Sequence, residues 1–174
     1  MTTDTPQPTT ELHFMIDIET LDVCDDALIL SIAAVKFTKD EILDSMVLYP
    51  DFEDRKIGVQ TLKWWMINPQ ELGRLLDLNR KSAQFIYNQL AYFLSCEQSK
   101  PTIWAKSPSF DLDILKSYFH RFNPLWKYDQ EADVRTAYLK LRQKQIELIP
   151  SDQPHEALAD AIAQAKNIQV FLQL

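Results

Sequence analysis

Glycine is nearly absent: the 174 residues hold only Gly58 and Gly73. The chain therefore has no GxGxxG dinucleotide fingerprint, no Walker A loop and no GxSxG nucleophile elbow. Cysteine is as scarce. Cys24 and Cys96 lie far apart, fit neither a disulfide framework nor a zinc knuckle, and point to a reducing, cytoplasmic compartment. Basic residues are outnumbered, 18 Lys and Arg against 25 Asp and Glu, leaving a formal charge of −7. Such a field does not draw long polyanions from a distance, so nucleic-acid chemistry here has to be local or carried by bound cations. No segment approaches the ~18 apolar residues of a membrane span, so no membrane partner is expected. The first ten residues, MTTDTPQPTT, lack the basic start and apolar stretch of a signal peptide and read as a short disordered tail.

What is present is a hydrophobic share of 46%, enough for one domain over residues 11–174. Residues 12–20 (LHFMIDIET), 27–37 (ALILSIAAVKF) and 42–49 (ILDSMVLY) read as strands, and the short turns between them predict an antiparallel meander. Helical spacing follows at 61–67, 71–78 and 81–95, the first closed by Asn68-Pro69. Residues 101–107 read as a buried strand. The run 110–122 sets Ile114, Leu115, Tyr118, Phe119 and Phe122 on one helical face. A short strand, a helix from about Val134 and a long closing helix complete the chain. Pro154 is expected near that last helix's first turn, with Ser151 or Asp152 as its cap. The order predicts an α/β domain with a mixed central sheet.

Asp17 and Glu19 stand two apart on the first strand, so both carboxylates face the same way. Two acids at the end of an apolar strand are costly unless a positive charge compensates, and a hard divalent cation does so. The plainer alternative is the solvated end of a strand. Asp111 stands at the start of a helix, where an acid also simply complements the dipole. His155 and Asp160 form an H-x₄-D pair at the start of the closing helix.

Together, D-x-E on the first strand, F-D opening a middle helix and H-x₄-D opening the last one resemble the DEDDh branch of the DnaQ-like 3′→5′ exonucleases. Thr61-Leu-Lys-Trp-Trp65 and Val134-Arg-Thr136 are two further segments in register. The resemblance covers roughly residues 12–170 and is nearest to phage exonucleases and mycobacterial-type exoribonucleases. It implies a ribonuclease-H-like fold, two divalent ions (Mg²⁺ or Mn²⁺) on Asp17, Glu19, Asp111 and Asp160, and His155 as general base. It implies single-stranded DNA or RNA 3′ ends as substrate and nucleoside 5′-monophosphates as product.

One departure precedes Asp111. Similar enzymes carry a glycine- and asparagine-rich loop there, whereas this chain reads Ala105-Lys-Ser-Pro-Ser109. Lys106 and Arg135 are candidate phosphate contacts, Thr20 and Leu21 candidate contacts to the terminal nucleotide, and Trp65, beside Trp64, a candidate base-stacking residue. The alternatives are a non-catalytic nucleic-acid-binding module of the same fold, or the proofreading subunit of a polymerase. The apolar run Val170–Leu174 fits either a homodimer interface or a core strip.

Overall fold

The computed structural model describes residues 11–96 and 100–174. The expected tail, residues 1–10, lies outside the described residues. Five strands form one mixed sheet: β1 (His13–Thr20), β2 (Ile29–Phe37), β3 (Ile42–Leu48), β4 (Thr102–Ala105) and β5 (Glu131–Asp133), ordered β3-β2-β1-β4-β5. The first three pair antiparallel as a meander, and β4 and β5 run parallel to β1. Both expectations about the sheet hold.

The helices are α1 (Val59–Trp65), α2 (Pro69–Leu76), α3 (Ala83–Leu94), α4 (Pro108–Tyr118), α5 (Val134–Gln143) and α6 (Ala157–Leu172). Pro69 both stops α1 and opens α2, because its fixed φ and missing N–H suit a first helical position. Pro108 does the same for α4, which therefore starts two residues before Phe110 and ends at Tyr118. Phe119 and Phe122 still pack on the core, but from beyond the helix. α6 begins later than predicted. Its N-cap is Glu156, whose carboxylate accepts from the Ala159 amide at 2.7 Å, not Ser151 or Asp152, and Pro154 precedes the helix.

β1 is covered on both faces, so its residues are almost all buried. Phe14, Ile16 and Ile18 join one core with α3 and α4, while Met15 joins a second core with Ala137 of α5 and Ala157, Ala161, Ala165 and Ile168 of α6. Phe171 and Leu172 of the closing apolar run pack against that second core, while Leu174 is exposed. Alternation then sends Asp17 and Glu19 to the α6 side. β4 ends at Ala105, opposite Ile16, so both acids stand just past the end of the neighbouring strand. A crevice beyond the carboxyl ends of parallel strands is where α/β sheets bind ligands. Among the described residues, no helix is long and apolar enough to cross a membrane.

Glycine scarcity leaves a mark on the backbone. Gln145 (φ 58°) and His155 (φ 68°) occupy the left-handed region where glycine is usual. Gln145 closes α5 in a Schellman arrangement, its amide donating to the Arg142 carbonyl and the Ile146 amide to the Leu141 carbonyl.

Candidate active site

Three elements deliver the acids. β1 brings Asp17 and Glu19, the first turn of α4 brings Asp111, and the first turn of α6 brings Asp160. Ligand atoms of Glu19, His155 and Asp160 lie within 4.8 Å of one another. Burial, then the charges of Asp111 and Glu19, pushes the Asp17 carboxyl well above the ordinary carboxylate range. Burial, then the charges of Asp160 and Asp111, pushes Glu19 up to about 8. Burial raises Asp111 to about 6 against the opposing pull of its backbone hydrogen bonds, among them the Ser107 amide at 3.1 Å. The five predicted groups thus form one constellation, and its acids repel one another.

The surrounding contacts fix that constellation. The Gln164 amide donates from Nε2 to Asp17 Oδ1 at 2.7 Å. The His155 backbone amide donates to Asp160 Oδ2 at 3.2 Å. The His155 ring stands edge-on to the exposed indole of Trp64, with centroids 4.6 Å apart. Lys106 acts electrostatically on Glu19 and Asp111, drawing both carboxyls down. Arg135 donates from Nη2 to the Ser107 hydroxyl at 3.0 Å, which sets it at the loop that leads into Asp111. The predicted phosphate contacts therefore flank the acids.

Three predicted substrate contacts are buried in the fold. Trp65 is 1% exposed, and its Nε1 donates to the Thr20 carbonyl at 2.9 Å. Its short helix lays it on Leu21, Leu28, Leu30, Leu72 and Leu75, so it is core and offers no face to a base. Leu21 belongs to the same core at 4% exposure. The Thr20 hydroxyl is buried and donates to the Asp22 carbonyl at 2.6 Å. Trp64 takes the exposed place expected of Trp65.

Gln164 and Asn167 were not foreseen. Asn167 clasps Ile149 through both backbone groups at 2.8 Å, pinning to α6 the loop that leads to His155. Both share a helical face with Asp160, at spacings of four and seven, and that spacing was the available signal.

The sequence pattern of the Rv2179c-like 3′-5′ exoribonuclease domains matches residues 12–172. The chain belongs to this family. It thus carries a 3′→5′ exonuclease domain, on a ribonuclease-H-like fold shared with solved nucleases. The zinc-bound complex of E. coli exonuclease I with single-stranded DNA is 17% identical with a TM-score of 0.68, over 93% of this chain and 41% of that one. Cell-death related nuclease 4 is 16% identical with a TM-score of 0.66, over 94% of this chain and 64% of that one. The nuclease domain of 3′hExo, a DEDDh family member bound to rAMP, is 14% identical with a TM-score of 0.60, over 95% and 94%. The Rv2179c-like chain thus spans about two fifths of exonuclease I and less than two thirds of the cell-death nuclease. No curated protein sequence matches it.

Proposed function

We propose that the chain hydrolyses single-stranded RNA from the 3′ end, releasing nucleoside 5′-monophosphates, with two divalent cations and His155 as general base. The observation that carries this reading is the meeting of Asp17, Glu19, Asp111, Asp160 and His155 in one cluster, brought there by β1, α4, α6 and the loop that precedes α6. The RNA preference follows the family description.

The donor set fits such ions. Four carboxylates supply hard oxygens suited to Mg²⁺ or Mn²⁺, and the raised carboxyls of Asp17, Glu19 and Asp111 mark a site short of positive charge. Asp17, Glu19, Asp111 and Asp160 would hold them. When bound, such ions lower the pKa of water and stabilise the leaving oxygen of an in-line displacement. His155 accepts the proton of the attacking water on a neutral ring nitrogen. The water oxygen bonds to phosphorus, the bond from phosphorus to the 3′-oxygen breaks, and that oxygen leaves with a proton from solvent. Lys106 and Arg135 hold substrate phosphate, and Trp64 offers the aromatic face for the terminal base.

A second reading has one supporting observation: His155 lies close enough to Glu19 and Asp160 to act as a ligand itself. Mn²⁺ affinity of His155→Ala separates the two roles. The test of function is digestion of 5′-labelled RNA and DNA oligomers with Mg²⁺ or Mn²⁺. A ladder shortening one nucleotide at a time, faster on RNA, is expected. Cleavage of a circular substrate, or first release of the 5′ label, would refute the reading; faster loss of DNA would refute its substrate.

A further inference from the structure

Gln164 is 4% exposed, yet its Oε1 is buried without a hydrogen-bond partner. Its surroundings on α6 are apolar: Ala157, Ala161, Ala165 and Ile168 form the face that packs on the sheet. A side chain serving only to fill that space would be cheaper as Leu or Met, which leave no buried oxygen unsatisfied. The amide earns its place through the other end, where Nε2 donates to Asp17 Oδ1 at 2.7 Å.

A carboxylate has two equivalent oxygens and turns easily about its terminal torsion. One fixed donor removes that freedom, because it commits Oδ1 to the protein and sets the direction in which the carboxylate would meet a cation. The donor sits one helical turn beyond Asp160 on the same helix. Orientation of the β1 acid is thereby tied to the helix that carries the α6 acid. Outer contacts of this kind orient metal ligands in other sites.

We propose that Gln164 is a positioning residue that presets Asp17 for divalent-cation binding. This rests on the reading of Asp17 as a metal ligand. Gln164 is buried and acts through its bond to Asp17, so its effect should show first in metal affinity.

The experiment is Mn²⁺ titration, by calorimetry and by electron paramagnetic resonance, of wild type, Gln164→Met, Gln164→Leu, Asp17→Asn and the Asp17→Asn/Gln164→Met double variant. Met is unbranched and close to Gln in length, so it fills the space with least disturbance, and Leu is the second choice should it misfold. Folding is checked by near-ultraviolet circular dichroism. Mn²⁺ affinity is expected to fall about 10–100-fold in the folded Gln164 variant. The double variant should bind no more weakly than Asp17→Asn alone. Wild-type affinity in a folded Gln164 variant would overturn the positioning role, as would a full additional loss in the double variant. Wild-type affinity in Asp17→Asn would instead overturn the ligand reading, so the two failures are distinguishable.

Discussion

The indole of Trp64 meets the imidazole of His155 edge-on, with ring centroids 4.6 Å apart and planes at 82°. Trp65, beside it in sequence, is turned inward and stands edge-on to Trp64 at 5.2 Å. The pair thus links the core to the histidine. Aromatic contacts of this geometry contribute about 0.5–1.5 kcal/mol. Trp64→Ala is expected to lower kcat by roughly 2–10-fold on that basis, and Trp64→Phe to recover most of the loss. Single-turnover rates at saturating RNA check this, and an unchanged rate for the Ala variant would show the contact to be idle.

His155 itself permits a sharper separation. A general base contributes about 10²–10⁴-fold to rate without holding the ions. Both His155→Ala and His155→Gly should lose turnover on that scale and retain Mn²⁺ affinity. Because His155 has φ of 68°, the Gly variant should also be more stable than the Ala variant, by about 1 kcal/mol. Denaturant titration measures the difference. Weak Mn²⁺ binding by both variants would assign the imidazole to ligation instead.

The raised carboxyls make stability depend on pH. An unfolded Glu titrates near 4.3 and an unfolded Asp near 3.9. In the folded protein Asp111 reaches about 6 and Glu19 about 8. The folded state then holds protons that the unfolded state has lost, so the contribution of these two groups to stability is greatest below pH ~4 and declines as pH rises through 6 and 8. Thermal melts in chelator from pH 5 to 9 should show a falling Tm for the metal-free protein. Mg²⁺ should raise Tm more at pH 9 than at pH 5. Glu19→Gln should match wild type at pH 5 and melt higher at pH 9. A Tm difference independent of pH would mean that Glu19 carries no such burden.

A fourth expectation concerns Gln145, far from the chemistry. Its φ of 58° in the turn after α5 is a position glycine takes without strain. Gln145→Gly should stabilise the protein by about 1 kcal/mol, read from the denaturation midpoint, with unchanged turnover. Destabilisation would show that the Gln145 side chain outweighs the strain.

The meander and the burial of β1 were legible because hydrophobic runs of strand length leave few alternatives. The convergence of Asp17, Glu19, Asp111, Asp160 and His155 was legible through their order along the chain and the character of the elements around them. Helix starts were less so: Glu156 caps α6 where Ser151 or Asp152 was expected, since capping depends on where the loop finally turns. Trp65 and Trp64 could not be told apart, because two adjacent aromatics on one turn differ only in which neighbour they meet. Gln164 was hidden for a related reason. Its spacing from Asp160 marked its face of the helix, but its partner lies on another element, which one helix alone does not reveal.

The hydrogen bond from Gln164 to Asp17 joins residues 147 positions apart. Nothing resembling the site can exist while β1 through α5 stand alone, because α6 supplies one acid, the restraint on another and the wall behind both. Contacts of such sequence separation form late and slowly, after local helices and hairpins. Recovery of RNA cleavage during refolding should therefore lag the recovery of far-ultraviolet circular dichroism. On that expectation the acids come together last, when the chain around them is already closed.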